Sequence, residues 1–188
     1  MTVFDDIFDR RYLVELAHKL SKEPWYPNNI ANRYTWPYGD KGAHKLLGSI
    51  YFDRKDLDII EYSSNLSLSY ELIDIYYKII ERAHRKLMLK EIKTNLQFMG
   101  MDGSNHYDST LENEVGYILM LSDEDIEPDE GGQFINETLN ETVEFKQGRV
   151  IEFNPFDEHR GLAFNTPHKC RFSIKFLGTQ NLNLEIRE

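Results

Sequence analysis

Residues 92–110 read IKTNLQFMGMDGSNHYDST, and the pattern of the chain changes there. Upstream, apolar residues recur at helical spacing. From Ile92 onward come short runs of strand composition: IKTNLQFM, VGYILML, GQFI, TVEFK, RVIEF, RFSIKFL and LNLEI, separated by turn-like stretches such as SDEDIEPDEGG and KQGR. Helices first and a series of short strands afterwards predict an α+β, mainly β architecture, a sandwich or jelly roll with N-terminal helices packed on one face.

Outward from that change, Ile7, Phe8, Leu13, Leu16, Ala17 and Leu20 predict an amphipathic helix between Asp5 and Lys22. A stronger one runs from Leu66 to Leu89, where Leu72, Ile73, Tyr76, Ile79, Ile80, Ala83 and Leu87 follow the 3.6 period. Ser67 or Ser69 can cap its start, and the run HRKLMLK puts positive charge where the dipole favours it. Between the helices, EPWYPNNIANRYTWPYGDKGAHK is rich in Pro, Gly and aromatics, which predicts an irregular arm. Its aromatics suit the edge of the domain, or else one wall of a substrate cleft.

The chain of 188 residues, 40% hydrophobic and 13% aromatic, is long enough for one sizeable core and too apolar for disorder. We expect a single domain, 1–188, with a helical and irregular part at 1–91, a strand core at 92–178 and a C-terminal strand or tail at 179–188. A net charge of -10 disfavours nucleic acid and membrane surfaces as partners, although a local basic groove can override the average. One cysteine, Cys170, rules out an internal disulfide and any site needing several thiolates. The start, MTVFDDIFDRRY, lacks the basic-then-apolar order of a secretory signal, and the expected location is cytoplasmic.

The chemistry centres on Gly103–Thr110, GSNHYDST. In an extended segment His106 and Asp108 point to the same side and can present an imidazole and a carboxylate to one ion. Alone, the pair is a weak signal and reads better as a surface histidine hydrogen-bonded to its neighbour. After the strand RVIEF comes NPFDEHRGLAF, whose His159 a returning strand can bring back to the pair. Two histidines and one carboxylate on one face of an octahedron form the facial triad of non-haem Fe(II) oxygenases. Further on, Arg171 and Ser173 share one strand face, opposite Phe172, Ile174 and Phe176, and the guanidinium fork suits a carboxylate. His168 sits too near Arg171 to serve as the distal ligand. His18, His44 and His84 read as structural or solvated, Cys170 as a small core residue, and the acidic run 123–130 as a solvated loop.

The order His106-Tyr107-Asp108, then His159, then Arg171-Phe172-Ser173 resembles the Fe(II)- and 2-oxoglutarate-dependent dioxygenases. The intervening VGYILML, SDEDIEPDE and Gly131-Gly132-Gln133-Phe134 are similar to their prolyl-hydroxylase-like branch. The resemblance covers about residues 92–178. It implies a double-stranded β-helix, Fe(II) on His106, Asp108 and His159, and 2-oxoglutarate and O2 as cosubstrates. It further implies that Arg171, helped by Ser173, holds the distal carboxylate, with Asn95, Gln97 and Tyr117 as further cosubstrate contacts. The implied activity is hydroxylation of a peptidyl residue, proline foremost, or of a small molecule. The rival reading is a non-catalytic jelly-roll binding or assembly module, which would have no use for a carboxylate clamp beside its ion.

Overall fold

The computed structural model describes residues 1–26, 46–56 and 58–180. Its elements in order are β1 (Thr2–Phe4), α1 (Arg10–Leu20), β2 (Leu47–Arg54), β3 (Ile60–Tyr62), α2 (Leu66–Arg82), β4 (Met88–Gln97), β5 (Glu114–Leu121), β6 (Phe134–Asn136), β7 (Glu141–Val143), β8 (Val150–Phe153), β9 (His159–Gly161) and β10 (Arg171–Thr179). The fold is mainly β. Seven strands form one sheet in the order β1-β8-β5-β10-β4-β2-β3, and β7-β6-β9 form a second. Every pairing is antiparallel.

Strand alternation decides what each sheet face does. On one face of the large sheet Leu96, Tyr117, Leu119, Phe172, Ile174 and Phe176 pack with Leu13, Leu16, Leu72, Ile75 and Ile79 of the two helices. Each such buried side chain contributes roughly 1.5–3 kcal/mol. On the other face Ile118, Met120, Ile151 and Phe153 meet Phe134 of the small sheet. The residues of β4 and β10 that point to this second face are polar, and the site lies there.

Several boundaries differ from the sequence expectation. α1 starts at Arg10 rather than near Asp5, because the Asp9 carboxylate accepts from the amides of Arg11 and Tyr12 and caps the helix there. The cap of α2 is Asn65, accepting from Leu68 N, and neither Ser67 nor Ser69; the Ser69 hydroxyl bonds to Tyr51 O instead. α2 also ends at Arg82, short of Leu89. His84 takes a left-handed conformation (φ 53°), Arg85 N donates to Ile80 O and His84 N to Glu81 O, a Schellman closure made without glycine. The first ninety residues are not only helix and irregular chain: β1 pairs with β8, and β2 lies between β3 and β4. The arm reading falls mostly on 27–45 and the last strand run on 182–186, outside the described residues. The arm's described start is anchored by Trp25, whose indole donates to Leu20 O and whose ring packs 5.8 Å from Phe172. Among the described residues no helix is long and apolar enough to cross a membrane.

Candidate metal centre and anion clamp

The loop after β4 is laced onto β9, and that lacing builds the site. Gly103 N donates to Gly161 O, His106 and His159 exchange both backbone hydrogen bonds (3.1 and 3.0 Å), and Asp108 N donates to Pro155 O. The two imidazoles come to 4.5 Å between centroids. Asp108 Oδ2 lies 3.2 Å from His159 Nε2, and Oδ1 lies 3.8 Å from His106 Nε2. One nitrogen or oxygen from each of His106, Asp108 and His159 falls within 4.8 Å of the others, the one such grouping among the described residues.

The ring nitrogens are pre-set for this. His106 Nδ1 donates to Ser104 O at 2.8 Å and His159 Nδ1 to Asp157 O at 2.7 Å, which turns Nε2 of each ring toward Asp108. Phe134 and Phe153 pack against the His159 ring, at 5.3 and 4.7 Å, and fix its plane. Asn136 donates to the Asp157 carboxylate and steadies the turn that carries the carbonyl. Burial raises the Asp108 carboxyl, but the charge of Lys175 and the hydrogen bond with His159 outweigh it and hold the group well below the usual range. The donor set of two imidazoles and an ionised carboxylate fits a divalent first-row metal.

The same cleft is lined by Asn95, Gln97, Arg171 and Ser173 as well as by the three residues above. Arg171 is 1% exposed, and among the described residues its partners are carbonyl oxygens only: Nε donates to Gly132 O at 3.0 Å and Nη1 to Gln97 Oε1 at 2.5 Å. Among the described residues nothing accepts from Nη2. Burial without a counter-charge pulls this guanidinium down to about 10. A buried cation in that state is costly unless a ligand supplies the anion. Gly161 keeps the space clear, since a Cβ there would stand 3.1 Å from Nη1. Three basic side chains line the cleft, Lys93, Arg171 and Lys175, against one acid, Asp108. The cleft is thus a local exception to the chain's net charge.

The structure therefore brings His106, Asp108, His159, Arg171, Ser173, Asn95 and Gln97 to one cleft. Gln97 serves there partly as a brace, its Nε2 donating to Met101 O and Gly161 O while its oxygen accepts from Arg171. Tyr117 is elsewhere. It sits on the helix-facing side of β5, where its hydroxyl donates to Glu152 at 2.8 Å and its ring packs on Tyr76, because residue 117 alternates with the cleft-lining Ile118. It cannot reach a cosubstrate in the cleft. His168 is exposed on a turn and is not part of the His106, Asp108 and His159 grouping. The residue that the sequence reading passed over is Lys175. Its ammonium bonds to Asp108 Oδ1 at 2.7 Å and to Glu91 Oε1 at 3.0 Å. Burial lowers the Lys175 ammonium, yet Asp108 and Glu91 outweigh it and keep the group above its ordinary range, hence charged. The alternation that puts Arg171 and Ser173 on one face continues to Lys175.

No protein-family model matches the chain, and no curated protein does. Solved structures do. An oxidoreductase of the 2OG-Fe(II) oxygenase family from Burkholderia pseudomallei superposes with TM-score 0.67 at 14% identity, over 96% of this chain and 85% of that one. A prolyl hydroxylase from Trichoplax adhaerens, in complex with a hypoxia inducible factor oxygen degradation domain peptide fragment, gives 0.64 at 12%, covering 95% and 82%. HygX from Streptomyces hygroscopicus, with nickel and 2-oxoglutarate bound, gives 0.59 at 11%, covering 95% and 82%. The chain has the fold of these oxygenases.

Proposed function

We propose that the protein is an Fe(II)- and 2-oxoglutarate-dependent dioxygenase of the prolyl-hydroxylase-like branch, its two sheets forming one double-stranded β-helix domain. It hydroxylates a substrate C–H bond, that of a prolyl or other peptidyl residue foremost. The observation that carries this is the meeting in one cleft of a two-histidine, one-carboxylate cluster and a buried arginine that has no acidic partner among the described residues. The first alone would serve a structural ion. The second has a use only if an anionic ligand enters, which weighs against a non-catalytic module.

Bound to the triad, Fe(II) with 2-oxoglutarate and O2 would supply the oxidation: one oxygen atom goes to succinate as CO2 leaves, the other to the substrate carbon. The chain's own tasks are separate. His106, Asp108 and His159 hold the ion through Nε2, a carboxylate oxygen and Nε2. Arg171 Nη2, with Ser173 beside it, grips the distal carboxylate, and Gln97 and Gly132 O keep the guanidinium from turning. Phe134, Phe153 and Ile118 exclude water from one wall. The peptide preference is supported by the Trichoplax adhaerens structure, in which a protein of this fold holds a peptide fragment. Succinate release with Fe(II), 2-oxoglutarate and O2, screened against proline-containing peptides and a metabolite panel, tests it. Turnover stimulated by peptides is expected; stimulation by metabolites alone would reassign the substrate, and no 2-oxoglutarate binding would overturn the function.

A further inference from the structure

Among the described residues Lys175 is the one cleft cation that touches the triad, and its surroundings show that it is held there from both sides. Its ammonium lies 2.7 Å from Asp108 Oδ1 and 3.0 Å from Glu91 Oε1, and Glu91 is itself paired with Lys93 on the same strand. The chain Asp108–Lys175–Glu91–Lys93 ties the loop carboxylate to β10 and β4. Lys175 is 8% exposed, so solvent does little to loosen the contact. The two oxygens of Asp108 are therefore not equivalent: Oδ1 is engaged by a cation, and Oδ2 is the one 3.2 Å from His159 Nε2. A carboxylate next to an ammonium has less charge to share with a metal on that side, and the ammonium repels the metal as well.

We propose that Lys175 is a positioning residue that occupies Asp108 Oδ1, so that the triad takes its metal through Oδ2 alone. The inference rests on the metal-centre reading above. Two imidazoles and one oxygen leave three positions of an octahedron, enough for a chelating keto acid and O2. A carboxylate binding through both oxygens would take a fourth position and compete with the chelate. Lys175 thus protects cosubstrate binding rather than metal binding, a split that a purely structural salt bridge would not produce.

The test is a pair of structures of Ni(II)-loaded protein, native and K175M, with Ni(II) and 2-oxoglutarate affinities measured for both and for K175R. In native protein one Asp108 oxygen is expected on the metal with Nζ still on the other. In K175M both oxygens should reach the metal, and 2-oxoglutarate affinity should fall about tenfold with Ni(II) affinity kept or raised, the 2-oxoglutarate affinity returning in K175R. Metal on the triad with Lys175 turned away in the native protein would overturn the proposal alone, and that outcome is readable even if K175M does not fold. One-oxygen ligation with native 2-oxoglutarate affinity in K175M would overturn it too. No metal on the triad would overturn the metal-centre reading and the proposal with it.

Discussion

The two ends of the cleft treat a buried cation in opposite ways. At one end Arg171 has, among the described residues, only neutral oxygens for partners, Gly132 O and Gln97 Oε1. At the other, Lys175, four residues along the same strand face, has two carboxylates. Both are deeply buried, and desolvation penalises both. The difference lies in who supplies the compensating charge. Lys175 obtains it from the fold and so fixes another side chain in place. Arg171 is left to obtain it from a ligand. Its lowered position beside the raised one of Lys175 marks where an anion belongs.

That contrast can be broken at several points. The largest effect is expected at the triad: H106A should weaken Ni(II) or Fe(II) binding by at least about 100-fold, measured by calorimetric titration, because one of three ligands is lost. Next, R171A should weaken 2-oxoglutarate binding by about 100-fold while metal affinity stays within a factor of about two. Equal loss of both would mean that the two ends are not separate. G161A pushes a methyl toward the guanidinium from 3.1 Å and should cost about tenfold in 2-oxoglutarate affinity, again sparing the metal. Y117F, on the opposite face of the sheet, should leave 2-oxoglutarate affinity unchanged and lower stability by about 1 kcal/mol in denaturant unfolding, through the lost bond to Glu152.

The smallest effect lies far from the cleft, where the Asp5 carboxylate accepts from Nε and Nη2 of Arg149 (2.8 and 2.9 Å) and from Lys146. The Arg149 hydrogen bond, set against partial burial and helped by Lys146, holds Asp5 at about 2. A carboxyl lowered in the folded state stabilises it above the ordinary carboxylate range and stops doing so as pH falls toward the lowered value. D5N should therefore cost about 0.5 kcal/mol at neutral pH and flatten the acid limb of the stability curve between about pH 4 and pH 2.

Much of this was legible in residues 92–110 and in the strand runs that follow, because strand alternation is a strong signal where one face is apolar and the other carries the site. β10 shows it best: Phe172, Ile174 and Phe176 go to the core and Arg171, Ser173 and Lys175 to the cleft. Tyr117 was misplaced by one step of the same alternation, since β5 is apolar on both faces and gives no polar marker of which side faces the cleft. β1 and β3 were invisible because three-residue edge strands carry little pattern, and β2, an inner strand, pairs with β4 beyond α2. The end of α2 was hidden because His84, not glycine, takes the left-handed position. The backbone carbonyls of Ser104 and Asp157, which orient the two imidazole rings, have no residue signature at all.

The central claim is that the triad and Arg171 serve one bound cosubstrate. The most direct measurement is the visible absorption of anaerobic protein titrated with Fe(II) and then 2-oxoglutarate. A charge-transfer band should rise only when both are present, vanish in H106A, and in R171A require far more 2-oxoglutarate to reach the same height. Folded native protein that shows no band, or an R171A titration indistinguishable from the native one, would contradict the account.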